Sequence, residues 1–96
     1  MRVLRIPGHV SWYPLNESIV ALDLQSNQRH VFKGDAVALW PWFGKGDGAT
    51  SRELVNFLVS RYGIDRGVAA RDLARLVKDL IGRRLLHVCS IDLPAC

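Results

Sequence analysis

Two cysteines, one methionine and no apolar run of eighteen residues set the first limits on this chain. Cys89 and Cys96 stand near the C-terminus without CxxC spacing or a neighbouring histidine pair. They point to neither a disulfide framework nor a zinc site, and the expectation is two small, semi-buried thiols. The short apolar runs exclude a membrane-spanning helix, and the broken N-terminal stretch MRVLRIPGHVSW does not read as a signal peptide. A cytoplasmic protein is expected. Catalytic spacing is equally scarce. His9, His30 and His87 fall on different predicted elements, and there is no HxxxH, HExxH, GxSxG or Walker pattern. The glycines of FGKGDGAT follow a helix rather than a strand and lack GK[ST], so they read as a flexible connection and not a phosphate cradle. Asp72 and Asp79 lie about two helical turns, roughly 10 Å, apart, too wide for a shared reaction centre. No enzyme, metal or cofactor is indicated.

What the chain does contain suits one compact domain over residues 1–96: 49% hydrophobic and 23% charged residues, with no room for a second core. A net charge of +4 permits nucleic acid or an acidic partner without choosing between them. HVSWYPL, from His9, reads as a strand ending in a turn at Asn16. SIVALDL, from Ser18, alternates, with Ile19, Ala21 and Asp23 on one face and Val20, Leu22 and Leu24 on the other; the second face is expected to meet the core. QSNQ is a turn and RHVFK, Arg29 to Lys33, a third strand, so residues 9–33 form an antiparallel meander.

After Lys33 the pattern becomes helical. Gly34 ends the strand, Asp35 is the expected N-cap, and AVALW begins a helix that Pro41 should stop within two turns or kink. Trp40, Trp42 and Phe43 read as core and loop anchors. Thr50-Ser51-Arg52-Glu53 is a capping box for a helix that carries Leu54, Phe57, Leu58 and Tyr62 and ends at Gly63. Asp65 caps a third helix, amphipathic from Val68 to Ile81. On that helix Leu73, Leu76, Val77 and Leu80 make one stripe, Arg71, Arg75 and Lys78 the opposite one, and Asp72 and Asp79 share the flank with Val68. The expected fold is α+β: a winged helix-turn-helix-like arrangement with a three-stranded antiparallel sheet followed by three α-helices.

Two binding readings follow. The stripe Arg71, Arg75, Lys78 would serve a winged-helix DNA binder. The alternative is the third strand, whose unpaired edge offers a template for an extended peptide or for a second copy of the chain, unless Arg29 and Lys33 merely keep that edge soluble.

The runs ALDLQSNQRHVFKGDAVALW, DGATSRELVNFLVSRYGIDRGVAARDLARLVKDL and RRLL resemble the PqqD-like family, named for a pyrroloquinoline quinone biosynthesis protein. Leu22-Asp23, Trp40, Asp47-Gly48, Leu54, Tyr62, Asp65, Asp72-Leu73, Leu76, Leu80 and Leu85-Leu86 fall at matching positions over residues 9–88. Three positions depart: Phe32-Lys33 replaces the usual Leu-Asn, Pro41 interrupts the first helix, and Arg84 stands where a glycine is usual, so that Gly82 or a less regular ending is expected to close the third helix. The resemblance implies a RiPP recognition element, a non-catalytic domain that binds the leader segment of a ribosomally made precursor peptide between third strand and third helix. It implies a leader site of Arg29, His30, Val31, Phe32 and Lys33 facing Val68, Ala69, Asp72, Arg75, Leu76 and Asp79. It implies separate enzymes as partners: a leader peptidase and cyclase of lasso-peptide biosynthesis, or a radical SAM enzyme.

Overall fold

The computed structural model describes residues 2–44 and 48–90. Its elements are β1 (Arg2–Arg5), β2 (Val10–Leu15), β3 (Ser18–Asp23), β4 (Gln28–Phe32), α1 (Asp35–Phe43), α2 (Ser51–Tyr62), α3 (Arg66–Gly82) and β5 (His87–Ser90). The meander β2-β3-β4 forms one antiparallel sheet, and β1 pairs antiparallel with β5 in a separate ribbon. The α+β class, with an antiparallel sheet followed by three helices, is therefore as expected. The ribbon is an addition, since its four-residue strands are too short to show periodicity in the sequence.

The β2–β3 connection fixes the parity of the sheet. Leu15 pairs with Ser18 across the two-residue turn Asn16-Glu17, and Asn16 is left-handed at φ 57°. Such a turn closes on a hydrogen-bonded pair, and hydrogen-bonded pairs then recur at every second position. Ser18, Val20 and Leu22 thus direct their backbone groups to β2. Ile19, Ala21 and Asp23 direct theirs to β4, opposite Phe32, His30 and Gln28.

The side chains reverse one expectation. Ile19, Ala21 and Asp23, not Val20, Leu22 and Leu24, face the helices: Ile19 and Ala21 belong to the core cluster with Phe32, Leu39, Trp40 and Phe43, while Leu24 is exposed in the turn. The physical reason is volume. This layer must hold the fully buried Trp40 indole, and the small Ala21 leaves the space for it. Asp23 is tolerated at the strand end because Oδ1 accepts hydrogen bonds from the N–H groups of Gln25 (2.9 Å) and Ser26 (3.3 Å). Chiefly the Gln25 N–H, opposed by desolvation and aided by Ser26 and the charge of His9, holds this carboxyl below its ordinary value of 3.8.

Helix α1 also differs from expectation. Gly34 is its N-cap and Asp35 its first residue, and the helix runs through Pro41 to Phe43 without stopping. Proline forfeits one backbone bond, but the burial of Trp40 and Phe43 on either side holds the last turn in place. Trp40 packs edge-on against Trp12 and Phe43 and stacks on Phe32 at 5.3 Å between centroids; Trp42 rests on Phe57. The capping box is present, with the Thr50 hydroxyl accepting from Glu53 N–H (3.2 Å) and Glu53 Oε1 accepting from Thr50 N–H (3.0 Å). Gly63 ends α2 in the left-handed region, and Asp65 caps α3 through Gly67 N–H and Val68 N–H. Gly82 is the last residue of α3, yet the left-handed position that follows is taken by Arg84, at φ 61°.

Cys89 is buried and disulfide-bonded, which corrects its reading as a thiol. Cys96 and Asp47 lie outside the described residues. No helix among the described residues is long and apolar enough to cross a membrane.

Three outcomes follow for stability. Gly48 combines φ 76° with a backbone approach in which an added Cβ would lie 2.6 Å from the Leu4 carbonyl oxygen. Gly48→Ala should therefore cost at least about 2 kcal/mol in denaturant unfolding. Arg84→Gly should stabilise by about 0.5–1 kcal/mol by relieving left-handed strain. Burial, then the charges of Arg5 and His9, lowers His87 below 6.5, so the fold favours neutral imidazole. Stability from this source is complete above about pH 6.5 and is lost below it, as the pH falls through the lower value of the folded state; thermal unfolding should show a loss that His87→Gln flattens.

Candidate functional site

The two edges of the meander are not equivalent. On β2 the outward backbone positions are Val10, Trp12 and Pro14, because their partners Asp23, Ala21 and Ile19 turn toward β4. Val10 N–H already donates to the Pro7 carbonyl (3.1 Å), and Pro14 has no N–H. Only Trp12 is left as an outward donor on that edge. On β4 the outward positions are Arg29 and Val31, neither of them proline. Val31 is 55% exposed, and Arg29 and the following Lys33 are exposed as well. One edge is blunted and the other is open.

Beside the end of β4 runs a groove of about 640 Å³, lined by Lys33, Ala36, Leu39, Leu58, Asp72, Leu73, Arg75, Leu76 and Asp79. Asp72, Arg75, Leu76 and Asp79 follow the i, i+3, i+4, i+7 spacing that puts them on one face of α3. Among the described residues Lys33, Asp72 and Arg75 make no ion pair, while Asp79 Oδ1 is held by Arg83 Nε at 3.2 Å. The Arg83 guanidinium also lies over the Phe32 ring, 6.0 Å from its centroid. A second depression of about 290 Å³ lies past Arg83, between Gln28 at the start of β4 and Gly82 at the end of α3. The Asp79–Arg83 pair stands between the two depressions as a bridge from α3 to the β4 ring.

The residues expected at a leader site are thus partly gathered. Lys33, Asp72, Arg75, Leu76 and Asp79 line the groove, and Arg29 and Val31 supply the open backbone edge. Phe32 faces inward, belongs to the core and stacks on both Trp40 and His30, and it does not line the groove. His30 Nε2 and Trp40 Nε1 are buried without a hydrogen-bond partner among the described residues. Val68 is half-buried outside the groove, and Ala69 is 0% exposed within the core, which corrects its placement in the cleft. The helix wheel explains the error: Ala69 lies on the same side of α3 as Leu73 and Leu80, which belong to the core.

Sequence reasoning missed Ala36, Leu39, Leu58 and Arg83. The first three are core positions whose edges happen to surface in the groove. Arg83 could have been found, since it follows Asp79 at the i, i+4 spacing of a helical ion pair. The three cations of the basic stripe stay exposed along one ridge of α3, with Arg75 bordering this groove and Lys78 bordering another. Among the described residues no group of three His, Cys, Asp or Glu side chains is placed to hold a metal ion.

Two solved structures share this fold. One, described as "TbiB1 in Complex with the TbiA(beta) Leader Peptide", superposes with a TM-score of 0.79 at 23% identity, covering 86% of this chain and 94% of that one. The other, "Lasso peptide synthetase B1 complexed with the leader peptide", gives 0.71 at 23% identity, covering 88% of this chain and 96% of that one. No curated protein matches the sequence. The family model for coenzyme PQQ synthesis protein D matches residues 18–86, from the first residue of β3 to the residue before β5, and on that match the chain belongs to the PqqD family.

Proposed function

We propose that this domain captures the leader segment of a ribosomally made precursor peptide as a fourth strand on β4 and presents it to separate modifying enzymes, without catalysing a reaction itself. The observation that carries the reading is the asymmetry of the sheet. β2 is closed to pairing by Pro14 and by the engaged Val10 N–H, whereas β4 offers Arg29 and Val31 and has a groove beside it. An added strand would bond through the backbone of Arg29 and Val31, and its side chains of one parity would enter the groove along α3. Leu39, Leu58 and Leu76 supply apolar contacts there; Lys33, Asp72 and Arg75 supply unpaired charges that discriminate among leaders. The two solved structures of the same fold hold leader peptides, which supports this assignment. A leader peptidase and a cyclase, as in lasso-peptide maturation, are the partners proposed, with a radical SAM enzyme as the alternative.

The winged-helix reading is weaker. A duplex-binding face would rest on Arg71, Arg75 and Lys78 alone, three exposed cations with Asp72 and Asp79 alongside them on the same helix. A low-salt shift assay with duplex DNA should accordingly stay flat.

Isothermal titration with the leader of a precursor encoded beside this gene should show one-to-one binding. Val31→Pro removes one outward donor without touching the β3 ladder. It should weaken capture by about threefold to tenfold, the worth of one hydrogen bond. Leader binding that survives this change undiminished, or no binding to any adjacent precursor, would refute the proposal. Size-exclusion chromatography should show whether two copies pair through the same edge, and added leader should dissolve any such dimer.

A further inference from the structure

On the side of α3 turned away from the leader groove lies a second groove, of about 530 Å³, between the helix and the β1–β5 ribbon. Its walls are apolar: Val3 and Leu4 from β1, Val55 from α2, Leu73 and Val77 from α3, and Val88 from β5. Ile81 is 41% exposed and Val88 50%, an arrangement that core packing alone does not require. The charged residues on its lining are Arg2 and Lys78, both cationic; among the described residues no acidic side chain lines it.

We infer that this groove docks an amphipathic helix with an acidic outer face, supplied by a partner protein. Three features define that occupant. The lining follows α3 from Ala70 to Ile81, about 16 Å of helix axis, which matches a guest helix of about three turns. Ala70 and Ala74 are exposed and one turn apart, so a guest backbone can approach α3 closely. Lys78 and Arg2 at the margin are complementary to carboxylates and repel a basic helix. A second copy of the chain fits poorly. Its most amphipathic helix, α3, carries Arg71, Arg75 and Lys78 on its outer ridge, and two cationic surfaces would then meet.

The position has a functional meaning. Leu73 lines both grooves, and the remaining α3 residues divide into Asp72, Arg75, Leu76 and Asp79 on one side and Ala70, Ala74, Val77, Lys78 and Ile81 on the other. The docked helix and a strand on β4 would therefore occupy opposite sides of one helix without colliding. The docking itself does not depend on leader capture.

The test uses a synthetic fourteen-residue helix, with leucines along one face and glutamates along the other, and a twin whose glutamates are lysines. The acidic peptide should bind the wild-type protein in titration calorimetry, and the basic twin should bind at least about tenfold more weakly. Ala74→Glu places bulk and negative charge in the groove at an exposed helical site that tolerates glutamate. It should reduce acidic-peptide binding at least about tenfold with the thermal midpoint preserved. Lys78→Glu should weaken the acidic peptide and improve the basic one. Failure of the acidic peptide to bind, equal binding by Ala74→Glu, or a sedimenting dimer that Ala74→Glu dissolves would each overturn the inference.

Discussion

The parity of the β2–β3 hairpin governs the rest of the molecule. Because the Asn16-Glu17 turn closes on Leu15 and Ser18, each later residue of the meander has an assigned backbone direction. Shifting that register by one residue would exchange both sets of consequences. Ile19 and Ala21 would leave the core, and Trp40 would lose the small neighbour that makes room for its indole. Pro14 would point its missing donor into the ladder, and Arg29 and Val31 would surrender their free amides to β3. Core packing and binding competence are therefore two readings of a single register.

Much of this was visible in the sequence, for identifiable reasons. Local signals are short-range and chemically specific: the Thr50/Glu53 box, Gly63, Asp65 and the three strands of the meander all rest on a few adjacent residues. The face of β3 was misread because Ile19, Ala21 and Asp23 look less hydrophobic than Val20, Leu22 and Leu24. What decides between the faces is the volume of Trp40, nineteen residues beyond Ala21. Pro41 was overvalued as a helix stop for the same reason, since the burial of Trp40 and Phe43 is a tertiary effect.

The candidate site was legible where it depends on helical spacing and obscure where it depends on depth. Asp72, Arg75, Leu76 and Asp79 fall out of a helical wheel, and the structure keeps them together. Ala69 differs from its expected exposure because a wheel gives an angle without saying which neighbours lie over it. The β1–β5 ribbon, with the groove it creates, depends on pairing between residues more than eighty apart, and four-residue strands leave no periodic trace at either end.

Pro14 has a consequence at a larger scale. A sheet with two competent edges can recruit copies of itself without limit, each new copy offering the edge that the last one filled. With β2 disabled at Pro14 and Val10, two copies that meet through the meander do so β4 to β4, around a twofold axis that uses up both templates. Self-association through the meander is thus a closed event that ends at the pair.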